Sequence, residues 1–315
     1  MPTSITFTPS GPWNMTKYFA WDEDTTYGDF DTASPTYAGW QGVKRIEMSN
    51  DIDVELFYES GSGFTYYRAV DKARNFSVNV DFGATEIALL QWMTTLPNFT
   101  TPANTLAKSR TFIICRKINN AGTMTEAFQL LKNCVPSALE LNLINGQLVS
   151  GRATLVPRLI SAPTFTNPLT TPTIPAAGSL SLPLWRPIDA GTGAITIATV
   201  ANPVMSMTVR WNYGWAYDKV WGSELLDAAT LAFLTCSGTM TVKQGFGFLE
   251  RAKVESGSLQ TSKFAAKAAM KTAVGFLNFT DMTYARFTET HEYGSQASTD
   301  EVYEFNAPTC TITAS

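Results

Sequence analysis

The sequence is short of charge. Only 16% of its 315 residues are Asp, Glu, Lys or Arg, against roughly 25% in an ordinary soluble domain. The 23 Lys and Arg do not outnumber the 27 Asp and Glu, which excludes a basic clamp that grips nucleic acid by its phosphates. There is one histidine, His291, and the four cysteines (Cys115, Cys134, Cys236 and Cys310) are scattered without a CxxC pair. A zinc site needs such ligands in clusters, so no metal and no cofactor is expected, and the thiols read as buried or half-buried groups of a reducing compartment. No apolar run, Ala194 to Ala201 included, approaches the roughly 20 residues of a membrane helix, so no membrane insertion is expected. The opening Met1-Pro2-Thr3-Ser4 lacks the charged-then-apolar profile of a signal peptide, and the expectation is synthesis in the cytoplasm. A GxSxG elbow, a phosphate loop, an HExxH pair and a dinucleotide glycine fingerprint are all missing. The chain is therefore not read as an enzyme.

What is present is a large apolar inventory, 44% hydrophobic and 12% aromatic, enough for a real core and too much for a disordered chain. Most of it alternates with period two. Ile46, Met48, Ile52, Val54 and Leu56 share one face of a strand, and Arg45, Glu47, Ser49, Asp51, Asp53 and Glu55 share the other. Phe76 to Phe82 alternates as cleanly, and Ser137 to Ile144 leads through Asn145-Gly146, a strong hairpin signal, into Gln147 to Val156. Three short helices are expected: Thr85 to Met93, Glu224 to Phe233 behind a Ser223 cap, and Lys263 to Ala273 behind a Ser262 cap. The fold class is therefore mainly β, or α+β.

Seven prolines between Pro157 and Pro187 cannot sustain a sheet ladder and read as an extended connector at mid-chain. That position prompts a search for a repeat. Val43 to Val54 lies without gaps on Val204 to Trp215 at an offset of 161, and Val78 and Val80 match Met240 and Val242 at an offset of 162. Glu301 to Ile312 is the best candidate for a second copy of the hairpin. The expected division is an arm or loop region at 1–42, one domain at 43–156, the connector at 157–200 and a second domain at 201–315.

Two acidic groups invite chemistry. Asp22, Glu23 and Asp24 with Asp29 and Asp31 lack the glycine and the final bidentate Glu of a calcium loop and read as a solvated acidic loop. The stripe Glu47, Asp51, Asp53 and Glu55 places carboxylates close enough for a glycosidase pair, but nothing raises the pKa of one member. Trp211 and Trp215 fall on the inward register of their strand and read as packing residues.

The pattern V-x-x-I-x-M-x-N-x-I-x-V at 43–54 closing on Gly61-Ser62, the lone helix near 84–95 and the hairpin C-V-P-S-A-L-E-L-N-L-I-N-G-Q-L-V-S-G-R-A-T-L-V at 134–156 together resemble the tail tube (major tail) proteins of long-tailed phages. The likeness covers 43–156 best and 204–312 more loosely. It implies two tandem β-sandwich or barrel-like tube domains, each with a short flanking helix. Three two-domain chains would form a pseudo-hexameric ring whose inner sheets join into one continuous β-barrel around a DNA conduit. It further implies a virion tail location, with stacked copies of the ring, the tail tip and tail terminator proteins as partners. The tape measure protein and viral DNA would occupy the lumen without sequence-specific binding. Glu47, Asp51, Asp53 and Glu55 would then be a lumen-facing acidic stripe that repels phosphates and lets DNA slide. The alternative is a two-domain β-sandwich that binds carbohydrate or a receptor, or a baseplate component of a virion.

Overall fold

The computed structural model describes residues 14–24, 38–40, 42–58, 66–83, 87–94, 109–120, 122–144, 147, 149–167, 195–197, 200–202, 204–219, 226–243, 264–269, 276–289 and 300–313. They are almost all β, as the alternation requires. Two compact units emerge, both discontinuous in sequence. One takes its described residues from Met1–Trp40, Lys108–Cys134 and Pro157–Leu180; the other takes them from Gln41–Ala107, Val135–Val156 and Ser181–Ser315.

The first unit pairs β1 (Asn14–Glu23) with β2 (Ala38–Gly39) and with β5 (Arg110–Asn120), and β5 with the opening half of β6 (Thr123–Ile144), which also carries β8 (Leu159–Ile160). The segment expected as an arm thus supplies two strands. Phe19 stacks on Trp40 and Phe112 at centroid distances of 5.6 and 5.1 Å, and Ala20, Ile113, Cys115, Phe128 and Leu130 form a second apolar cluster.

The second unit contains β3 (Val43–Tyr58), β4 (Tyr66–Gly83), the closing half of β6, β7 (Ser150–Val156), β11 (Val204–Lys219), β12 (Leu226–Lys243), β14 (Phe276–Glu289) and β15 (Asp300–Ala307). These run antiparallel in the order β3-β4-β7-β6-β11-β12-β15-β14. β9 (Ile195–Ile197), β10 (Val200–Asn202), β13 (Phe264–Ala269) and β16 (Thr309–Thr313) attach at the far end through β14. Val78, Val80, Phe82, Leu139, Leu141, Met207, Val209, Trp211, Tyr303 and Phe305 form the buried face. The helix α1 (Ile87–Thr94) buries Leu89, Leu90 and Met93, and Thr94 Oγ1 accepts a hydrogen bond from the Ile312 amide at 3.3 Å.

Two expected helices are strands. Residues 226–233 belong to β12, paired along β11, and Phe264–Ala269 is β13, paired with β14 and β9. Helix propensity in an alanine-rich segment is worth only tenths of a kcal/mol per residue, and ladder pairing outweighs it. The hairpin marked by Asn145-Gly146 is present as β6 and β7, with Asn142 opposite Ser150; the two turn residues themselves lie outside the described residues. Residues 301–312 are not its second copy, because β15 pairs with β14 and β12 instead of folding on β16.

The pairing scheme recurs. β1 to β8 and β9 to β16 follow one order of connections, each strand bonded to the same relative neighbours. The irregularities recur too. Register shifts at Val43/Arg45, Asp53/Val54 and Phe57/Tyr58 in the β3–β4 ladder reappear at Val204/Ser206, Gly214/Trp215 and Asp218/Lys219 in the β11–β12 ladder, all at the offset of 161 found in the sequence. The shift at Pro136/Ala138 reappears at Tyr284/Arg286, an offset of 148. Among the described residues, Asn133 and Asp281 are the non-glycine residues with positive φ, both at 51° and separated by that same offset. Bulges are specific features of a ladder, not noise. The correspondence of β4 with β12 runs at 160, since Ile46 faces Val80 and Met207 faces Met240. The expected offset of 162 is one pleat out, a slip that period-two alternation cannot reveal.

Candidate functional site

On the face opposite the core, polar side chains run strand to strand across the second unit. Arg45 bonds Glu47; Arg152 lies 3.5 Å from Glu47 and 3.7 Å from Asp81; Thr154 donates to Asn79 at 2.8 Å. Across the junction between the repeats, Arg210 donates to Glu140 at 2.7 Å and Thr208 to Asn142 at 2.8 Å. At the far end Arg286 lies 3.8 Å from Glu304. Pairs this exposed add little stability. Their effect is to set each of these four arginines, Arg45, Arg152, Arg210 and Arg286, beside a carboxylate.

At the junction itself, the end of β6 meets β11 from Ser206–Ile144 to Asn212–Ala138. On the core side Leu139 faces Trp211 and Leu141 faces Val209. Trp211 is fully buried and its Nε1 donates to the Cys310 carbonyl at 2.9 Å. Trp215 is half-buried and donates to the Pro136 carbonyl. On the polar side, burial alone would raise the Glu140 pKa, but hydrogen bonds from Arg210 and Asn142 and the charges of Arg210 and Arg152 outweigh it and hold the carboxyl below its ordinary value of 4.5. The fold therefore favours the ionised form, so this stabilisation is present above pH 4.5 and is lost as pH falls through the lower folded value. We expect Glu140→Gln to unfold at lower denaturant than the parent at neutral pH, with the gap closing in acid. A gap that stays constant across an acid titration of the urea midpoint would exclude the junction carboxylate as its source.

Of the four residues expected to form an acidic stripe, Glu47 stands on this face between Arg45 and Arg152. Asp51, Asp53 and Glu55 hold ladder positions opposite Asn75, Ala73 and Val70, and their side chains lie outside the described residues, as do His291, Asp29 and Asp31.

Asp24 corrects the solvated-loop expectation. It is buried in the first unit, where its carboxylate accepts hydrogen bonds from Ser109 Oγ and Thr111 Oγ1, both at 2.7 Å, and from Asn133 Nδ2 at 3.0 Å. Burial pushes its pKa up, against the lowering effect of those three donors. The arrangement holds Asn133 in its left-handed conformation, and Thr111 Oγ1 also accepts from the Asn133 amide at 3.1 Å. Sequence spacing gives no hint of it, because Asp24, Ser109 and Asn133 come from three separate strands or their ends. Among the described residues no group of His, Cys, Asp and Glu could hold a metal ion, and no helix is long and apolar enough to cross a membrane. The four cysteines are buried and unbridged.

No protein-family model and no curated protein matches this chain. Among solved structures it is similar to a chain in the cryo-EM structure of the anti-feeding prophage baseplate, symmetrised sixfold. The identity is 14% and the TM-score 0.33, over 48% of this chain and 95% of that one.

Proposed function

We propose that the protein is a tail tube subunit of a virion, three chains closing a pseudo-hexameric ring and rings stacking into a conduit for DNA. The observation that carries this reading is the β6–β11 junction. It joins the last strand of one four-strand row to the first strand of the next, and the same two kinds of edge, β3 and the Thr283–Glu289 part of β14, have no further strand among the described residues. A long open edge is an aggregation hazard in a monomer; a head-to-tail contact that repeats with rotation closes it into a ring. The resemblance of 43–156 to tube proteins supplies the number six, which two repeats per chain reduce to three subunits.

The polar face then lines the conduit, and its arginines suit that place. Each described one is matched by a carboxylate, so the wall offers passing phosphates little chance to release counterions by binding. Sliding follows from charge pairing as much as from net acidity.

Negative-stain electron microscopy of the purified full chain across a concentration series tests the proposal. Rings or stacked tubes with a central pore, at three chains per ring by native mass spectrometry, are the expected result. Discrete globular particles at every concentration, with tryptophan fluorescence that responds to glycans, would replace it with the carbohydrate-binding reading.

A further inference from the structure

The chain contains a worked example of its own contact with the next copy. By the shared register shifts, β3 corresponds to β11 at the offset of 161, and β14 corresponds to β6 at the offset of 148. The junction that β6 makes with β11 can therefore be transferred, residue by residue, to β14 and the β3 of a second copy. We infer that β14 pairs antiparallel with the partner copy's β3 in one register, with Thr288 opposite Ser49 and Arg286 opposite Asp51. Thr288 and Ser49 occupy the places of Glu140 and Arg210, and Arg286 and Asp51 those of Ala138 and Asn212.

Two observations favour this pairing, and the internal junction sets its register. Both edges lack a strand partner among the described residues. Ser49, Arg286 and Thr288 are exposed on the polar face, as the pairing requires. A slip of two residues would keep the faces but place Arg286 opposite Ser49 and Thr288 opposite Glu47, so the register is a discriminating claim. On the core side the transferred neighbours include Glu289 with Met48, where the internal junction has Leu141 with Val209. The contact between copies is thus the more polar of the two.

This inference rests on the ring reading for the existence of a second copy, and the test separates them. The full chain carrying Ser49→Cys and Thr288→Cys is oxidised at concentrations where rings form, beside a chain carrying Glu47→Cys and Thr288→Cys. Directly opposite residues lie within disulfide reach, whereas a two-residue diagonal lies beyond it. The four native thiols are buried, and the Ser49→Cys and Thr288→Cys single variants, being exposed, should keep the parent's thermal midpoint. The expected result is covalent dimer and closed trimer for the first pair, in about tenfold excess over the second. Rings with equal or greater cross-linking in the second pair overturn the register and leave the ring standing. Cross-links of the first pair that run past trimer into open ladders uphold the pairing and overturn ring closure. Monomers at every concentration, with no cross-link, overturn both.

Discussion

Trp211→Ala is expected to cost about 3–5 kcal/mol, the range for deleting a fully buried aromatic side chain. Among the described residues the indole is the largest fully buried side chain, and it sits where the two repeats join, with Leu139 across the ladder and the Cys310 carbonyl on its Nε1. Its removal opens a cavity and leaves that carbonyl without its donor. Urea unfolding of the full chain should show the midpoint falling with little change in slope, and hydrogen exchange should rise first in β6 and β11. A loss below about 1 kcal/mol would mean that the surrounding residues collapse into the space and that the indole does not hold the junction. Trp211→Phe, which keeps most of the apolar area and loses the donor, should fall between the two.

Asp24→Ala is the corresponding experiment in the first unit. It removes the shared acceptor of three buried donors, from Ser109, Thr111 and Asn133, of which Asn133 Nδ2 keeps a long contact to Ser109 Oγ at 3.5 Å, and each donor left unmatched costs about 1–3 kcal/mol. The expected loss is about 3 kcal/mol or more, with amide exchange accelerated in β1 and β5. Asp24→Asn should cost distinctly less, because the hydroxyls of Ser109 and Thr111 can rotate to accept from the new amide. Equal losses for the two variants would show that the charge, and not the set of hydrogen bonds, is what the site requires.

These two residues mark the limits of what is legible in the sequence. Alternation alone places Trp211 on the inward register, and the mainly β fold, α1 and the β6–β7 hairpin are likewise readable from period and turn residues. Asp24 is not readable, since nothing in the run Asp22-Glu23-Asp24 says that three donors from distant strands will converge on one carboxylate. The alanine-rich segment at β13 misleads for the opposite reason: local propensity is visible and the pairing that overrides it is not. Of the two strand pairs aligned in the sequence, the first, β3 with β11, aligns correctly at 161. The second slips by one pleat, because Val78 and Val80 look as good opposite Met240 and Val242 as opposite Gly238 and Met240. Only the bulges break that degeneracy, and bulges leave no mark in hydrophobicity. The charge ladder is invisible in the sequence because Glu140 and Arg210 are 70 residues apart and meet only across the junction.

That junction also changes how the proposed ring would assemble. Because β6 and β11 lie on one chain, their association is intramolecular and does not depend on the concentration of free chains. Of the six seams in a three-chain ring, three are then made during folding, and only three must be won from free solution, each with its loss of translational and rotational freedom. Duplication also lets the two kinds of seam diverge. The inner one carries a buried indole and an ion pair; the outer one, in the inferred register, sets hydroxyl against hydroxyl and a glutamate opposite a methionine. An edge of that character stays hydrated while the chain waits as a monomer and mates weakly until closure makes all three contacts hold at once.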